Sequence, residues 1–148
     1  MPSWLRANGG YVLAAVSAIL RFVPAVVTLT TADEPGARIS EAATLLAVAN
    51  TTSYGSGMRI APRAQLADGL LDACFVRRAG RLRLLRSFPS LFRGEHLSMP
   101  EVQYLQAARL RIAAERPLEV YADGERVGMT PVEITVVPQA LRVIVPLP

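Results

Sequence analysis

The chain has 148 residues, 51% of them apolar and 19% charged, which excludes a disordered chain and leaves one domain with enough apolar material for a core. All 16 basic residues are arginine, against 12 acidic ones, for a net charge of +4; P-loop, Schiff-base and general-base lysine chemistry are therefore excluded. A single cysteine, Cys74, and a single histidine, His96, exclude an internal disulfide and a His-rich metal site, and nothing in the cysteine usage implies secretion.

Arg6 followed by an apolar stretch has the outline of a weak signal peptide. The apolar run from Tyr11 to Leu20 is too short to span a bilayer, and Arg21 and Pro24 interrupt its continuation. The better reading is a helix from Gly10 to Phe22, ended before Pro24. Ala25–Thr31 is β-branched and apolar and predicts a strand. The Asp, Glu, Pro and Gly of Ala32–Ser40 predict a turn. Thr44–Ala49 reads as a short buried strand, Met58–Ile60 as extended, and Leu71–Val76 as another strand.

Leu82–Phe92 has apolar residues at helical spacing, with Pro89 expected to break it. Glu101–Ala113 is ambiguous, although the alternation of its second half favours a strand. Leu118–Ala122, Val132–Val137 and Leu141–Val145 complete the expected strands. The fold class is therefore mainly β, an antiparallel β-sandwich with one or two helices, in a single domain over residues 1–148.

Two places combine glycine with carboxylates where the strand pattern breaks. In P-R-A-Q-L-A-D-G-L-L-D, Asp68 and Asp72 flank a glycine turn. Asp68 can cap its own backbone, or join main-chain carbonyls freed by the turn in holding a hard cation. Asp123-Gly124-Glu125 is a hairpin signal, and Glu125 beside it is also a candidate general base for a hydroxyl nucleophile. The Gly55-Ser56-Gly57 turn can cradle phosphate through backbone N–H groups but lacks the P-loop pattern. Cys74 reads as a small core residue, with a Cys74–His96 pair as the reactive alternative. The arginines from Arg77 to Arg93 form the densest basic cluster. They suit a solvated face or, with Leu82, Leu84, Leu85, Phe88, Leu91 and Phe92 among them, an anionic membrane surface. No recognition motif for nucleic acid accompanies them.

In order along the chain, these pieces are a strand ending in Asn50, the turn Y-G-S-G-M, A-P-R-A-Q-L-A-D-G-L-L-D, F-R-G-E-H at Phe92–His96, A-D-G-E at Ala122–Glu125 and the ending P-Q-A-L-R-V-I-V-P. The set resembles the C-terminal half of the diacylglycerol kinase/sphingosine kinase-type lipid kinases, especially the soluble bacterial type. The resemblance implies transfer of the ATP γ-phosphoryl group to a lipid hydroxyl such as that of diacylglycerol. It implies Glu125 as general base. It implies a structural Mg²⁺ held by the Asp68 side chain and by main-chain carbonyls at Gln65 and Leu70. Asn50, Gly55, Gly57 and Asp123 are the implied cofactor-facing positions. Ser56 stands where a glycine is usual.

The nucleotide-binding G-G-D-G-T motif of such kinases is not found in these 148 residues. The resemblance therefore implies a lipid-side half, inactive alone, with an N-terminal nucleotide-binding domain supplied in cis or in trans. A cytoplasmic chain, peripheral at the inner membrane face and able to form a homodimer, goes with it. The alternative from another class is a non-catalytic lipid- or membrane-binding module, or a decayed fragment.

Overall fold

The computed structural model describes residues 9–32, 36–54 and 57–142. Helix α1 (Gly9–Arg21) leads into β1 (Ala25–Thr31) and β2 (Arg38–Ala49). A long loop reaches β3 (Leu71–Arg77), then α2 (Arg81–Arg93) and a 3₁₀ turn at Glu95–Ser98. Strands β4 (Val102–Ala107), β5 (Arg109–Ala114), β6 (Glu119–Ala122), β7 (Glu125–Met129) and β8 (Val132–Thr135) follow. The six-stranded sheet has the order β4-β3-β2-β1-β5-β8, antiparallel throughout, and β6 and β7 form a separate hairpin. The expected antiparallel, sandwich-like fold with two helices is the one observed.

Ala108 dictates how the sheet curves. It alone separates β4 from β5, yet β3, β2 and β1 lie between those two strands in the sheet. In a flat sheet β4 and β5 would stand about 19 Å apart, four spacings of roughly 4.8 Å. Two peptide steps reach only about 7.6 Å. The sheet must therefore fold over on itself. Its core agrees: Val27, Leu29, Ile39, Ala73, Phe75, Ala107, Leu110 and Ile112 form one buried cluster, and Leu105 of one edge strand and Val132 and Ile134 of the other pack against it. Alternation along β3 sends Leu71, Ala73 and Phe75 into this cluster. Cys74 and Val76 join a second cluster with Ile60, Ala61 and Ala64, against which Leu84 and Leu91 of α2 pack.

Several elements differ from expectation. β2 begins at Arg38, inside the expected turn, because Arg38 to Ala43 pair with β1 in continuous register. Met58 makes only an isolated bridge with Tyr54. The ambiguous Glu101–Ala113 segment is two strands. β7 was not anticipated as a strand. Leu141 and Arg142 are not in a strand, and the rest of the expected final strand lies outside the described residues. α2 runs through Pro89 without ending. Proline removes one helical hydrogen bond. Here Phe88 is buried one residue before it, the Phe88 and Phe92 rings meet edge to face at 5.8 Å, and the Ser87 and Ser90 hydroxyls donate to the Arg83 and Ser87 carbonyls. Tertiary packing outweighs the local breaker. No helix among the described residues is long and apolar enough to cross a membrane.

Candidate functional site

Strand direction brings most of the expected site residues to one end of the sheet. β1 starts opposite Ala43, and β2 continues past it to Ala49, which pairs with Asp72 at the start of β3. Asn50 and the Asp68–Leu70 turn therefore sit at the same end of the β2–β3 pair. β5 ends at that end of β1 too, with Ala114 opposite Val27, and the chain exits there toward the β6–β7 hairpin.

The hairpin turn is Asp123-Gly124, with φ of +50° and +89°. Positive φ at both central residues is the turn geometry that Asp-Gly favours, and Ala122 pairs with Glu125 to close it. Asp123 is thus a turn residue by conformation. Glu125 opens β7, exposed, and its side chain makes no hydrogen bond or ion pair among the described residues. Its neighbours are held more firmly: Glu119 accepts from Arg126 Nε and from the Tyr121 hydroxyl, each at 3.0 Å. The glutamate hydrogen bond raises the Tyr121 pKa, since it favours the protonated phenol.

Asp68 lies exposed in the bend before β3, and its Oδ1 accepts from the Leu70 N–H at 2.9 Å. Gly69 between them has φ of +73°. This is the self-capping turn that the sequence allowed. Asp68 and Gln65, three residues before it, are both exposed. One carboxylate oxygen with main-chain carbonyls is a donor set that a hard cation keeping several waters accepts. Among the described residues no cluster of three or more His, Cys, Asp or Glu side chains could hold a metal. The expected set, with one carboxylate, does not depend on such a cluster.

Asp72 parts company with Asp68. It is the second residue of β3 and 0% exposed. Its Oδ1 accepts from the Tyr104 hydroxyl at 2.6 Å and from Gln106 Nε2 at 2.9 Å, while its buried Oδ2 has no partner. The Arg63 guanidinium stands 5.8 Å over the Tyr104 ring. Burial first, then the Asp72 carboxylate, push the Tyr104 pKa well above its ordinary value. The pairing of β3 with β4 creates this network, so nothing local in L-D-A-C-F announces it.

Of the Gly-rich turn, Gly55 lies outside the described residues. Gly57 has φ of +86°, and nothing lies within 4 Å of where a Cβ would stand, so its backbone is open to close approach. Tyr54 and Met58 close the turn by backbone hydrogen bonds of 3.1 and 3.3 Å. The loop then docks on α2: Arg59 N–H donates to the Leu91 carbonyl at 2.9 Å, and a Cβ on Gly94 would lie 2.9 Å from Pro62 Cβ. The F-R-G-E-H glycine is required for that approach and for the left-handed cap of α2.

Sequence reasoning did not foresee a cavity. A hollow of about 480 Å³, open on one side, lies between α1, α2, the residues Tyr54, Met58 and Ile60, and the second face of the sheet. Ile19, Phe22, Leu45, Met58, Phe88 and Leu91 are among its apolar walls. That size lies within the range of small-molecule sites. Among the described residues, His96 is the only ionisable side chain in its wall apart from the Tyr54 phenol. It is 2% exposed, Nε2 lies 3.1 Å from the Ile60 carbonyl, and Nδ1 is buried without a partner. Burial lowers its pKa, and the Ile60 hydrogen bond opposes this more weakly, so the imidazole is neutral at pH 7 with its proton on Nε2. Cys74 belongs to the neighbouring core, and burial raises its thiol to about 11, which makes it inert. No hydrogen bond joins it to His96.

Comparison with known proteins agrees with this fold. The family model described as the YegS C-terminal NAD kinase β-sandwich-like domain matches residues 2–145. The diacylglycerol kinase of Mycobacterium tuberculosis is 41% identical over 103 residues, covering 70% of this chain and 33% of the relative. The diacylglycerol kinase of Bacillus subtilis is 28% identical over 102 residues, covering 69% and 34%. A crystal structure from Bacillus anthracis, classed provisionally as a diacylglycerol kinase, superposes with a TM-score of 0.69 at 25% identity, covering 87% of this chain and 44% of that one. The chain spans about a third of the length of the curated relatives it matches. By fold and by sequence over nearly its whole length, it belongs to the YegS C-terminal β-sandwich-like domain family of the lipid kinases.

Proposed function

We propose that the chain is the lipid-binding half of an ATP-dependent lipid kinase, that it phosphorylates a lipid hydroxyl such as that of diacylglycerol, and that it acts only with a nucleotide-binding domain supplied in cis or in trans. The observation that carries this is the apolar cavity beneath α1 and α2. Its walls suit an acyl chain, and Tyr54 and Met58 in them belong to the same loop as Gly57. The lipid headgroup would then lie at the end of the sheet that holds Asn50, Asp68 and the exit toward Glu125.

In this reading Glu125 accepts the proton of the lipid hydroxyl as its oxygen bonds to the γ-phosphorus of ATP and the bond to ADP breaks. The exposed carboxylate beside a two-residue turn is free to meet a substrate presented from a second domain. Asp68, with the Gln65 and Leu70 carbonyls, holds Mg²⁺ and so fixes the bend before β3. Bound there, the ion supplies structural order and not phosphoryl chemistry. Asn50 and Gly57 face the nucleotide domain.

The test joins the chain to a nucleotide-binding domain from a relative and follows ATP-dependent phosphate transfer to diacylglycerol in mixed micelles. Glu125→Ala is expected to lower kcat by about 10²- to 10⁴-fold, the span of general base catalysis. Undiminished transfer overturns the assignment of the base. Lipid binding by a joined protein that never transfers phosphate favours a non-catalytic lipid-binding module instead.

A further inference from the structure

The part of the sheet formed by β1, β5, β8 and the first half of β2 turns a polar face outward. Alternation sends Leu29, Ile39, Leu110 and Ile112 into the core, where each is buried. Their neighbours along the strands therefore point the other way. Of these, Arg38, Ser40, Arg109 and Arg111 are exposed, and Thr28 and Thr30 are half-buried between them.

Register places three of these side chains in one row across three strands. Thr30 of β1 is the direct partner of Arg38 on β2 and of Arg111 on β5. Directly opposed Cβ atoms stand about 5 Å apart, so the two arginines flank Thr30 with about 10 Å between their own Cβ atoms. Both guanidinium groups are on stems long enough to meet above the threonine. The next row is Ser40, Thr28 and Ala113. The Thr28 and Ser40 hydroxyl oxygens lie 2.8 Å apart, so one donates to the other and one proton is left to donate outward. Glu133 stands directly across from Arg111 on the far side, but it is paired with Arg109, Nε to Oε1 at 3.4 Å. Among the described residues, Arg38 and Arg111 have no ion-pair partner and the Thr30 hydroxyl has no hydrogen bond. The two rows thus gather donors that no acceptor of this chain takes up.

We propose that Arg38, Thr30 and Arg111 form a binding site for a phosphate group, at the end of β1 opposite to Asn50 and Asp68. Guanidinium groups present planar forks of N–H donors that match phosphate oxygens, and hydrogen bonds between two charged partners are the strong ones. The donor count selects the kind of phosphate. One terminal oxygen for each arginine and a third for the Thr30 hydroxyl require three non-ester oxygens, which a phosphate monoester or free phosphate has. A diester has two and leaves the threonine unmet, and a carboxylate likewise. The site is a binding site only, and it rests neither on the cavity nor on Glu125.

The experiment titrates the full chain calorimetrically with inorganic phosphate and, separately, with acetate at low salt. Phosphate is expected to bind, acetate is not, and added salt should weaken the phosphate complex. Arg38→Gln or Arg111→Gln should each weaken it by about 10-fold, the lower end for hydrogen bonds between charged groups at an exposed site. Thr30→Val, which keeps the shape and removes the hydroxyl, should weaken it by roughly 3- to 10-fold. Arg93→Gln, an equal loss of charge at the end of α2, should leave it unchanged. No binding of phosphate, equal binding of acetate, or equal losses from Arg93→Gln and Arg111→Gln overturns the proposal. The sequence between β1 and β2 also carries Asp33 and Glu34. Phosphate binding that appears only after Asp33→Asn with Glu34→Gln overturns it too, since the chain's own carboxylates would then be the occupants.

A second titration separates the two sources of such a group. Glycerol 3-phosphate, a soluble monoester, stands in for a phosphorylated headgroup. Equal affinity for it and for inorganic phosphate means that the site reads the phosphate alone. Tighter binding of the monoester, lost equally on Arg38→Gln and Arg111→Gln, assigns the site to a phosphorylated ligand. Monoester binding that both variants leave intact overturns the assignment of these residues.

Discussion

Removing the Asp72 carboxylate tests whether its buried network holds the start of β3. Asp72→Ala deletes the acceptor of two hydrogen bonds, at 2.6 Å from Tyr104 and 2.9 Å from Gln106, in a site 0% exposed. Hydrogen bonds to a charged group contribute about 1.5–3 kcal/mol each, so the gross loss is about 3–6 kcal/mol. The unpartnered Oδ2 already costs about 1–3 kcal/mol in the wild type, and its removal offsets part of that loss. The net destabilisation is then about 3 kcal/mol. For a chain of this size that lowers the melting temperature by roughly 6–12 °C. The assay is urea unfolding followed by circular dichroism, on Asp72→Ala, Tyr104→Phe and the double variant. Groups in direct contact should show coupling of about 1 kcal/mol or more in that cycle. An Asp72→Ala variant within about 0.5 kcal/mol of wild type, or strictly additive single effects, would refute the reasoning.

Two further outcomes are expected. Magnesium should raise the melting temperature of the wild-type chain, and Asp68→Ala should abolish that increment in addition to its own cost of losing the Leu70 turn; an unchanged magnesium increment means that Asp68 is a turn residue and no ligand. His96 has its folded pKa lowered by burial, so the unfolded chain binds its proton more readily. Stability is complete above the unfolded value of about 6.5 and is lost as pH falls below it toward the folded value. Chemical unfolding at stepped pH should show that decline, and His96→Gln should flatten it.

Local chemistry made parts of the molecule legible. The β-branched run Ala25–Thr31 is β1 at both of its ends, and Asp123-Gly124 makes the two-residue turn that its φ values require. Asp68 capping its own turn was one of the two readings its neighbours allowed. What stayed hidden depends on partners distant in sequence. Asp72 looks like the second carboxylate of a turn until β4, more than 30 residues on, supplies Tyr104 and Gln106. Pro89 reads as a break because nothing near it reveals that Phe88 is anchored in the interior. The cavity is invisible for the same reason, since its walls come from α1, the residues Tyr54, Met58 and Ile60, and α2. Composition did reveal the arginine–leucine mixture of α2, but not that α1 stands beside it with leucines of its own.

The single residue between β4 and β5 has a consequence for how the domain opens. Because Ala108 ties the β4 border of the sheet to β5 on the far side of β1, that border cannot peel away as an independent flap. Amide protons from β4 through β5 should exchange with solvent in one concerted event, at the free energy of global unfolding. The β6–β7 hairpin, which shares no ladder with that sheet, is left to exchange on its own and faster clock.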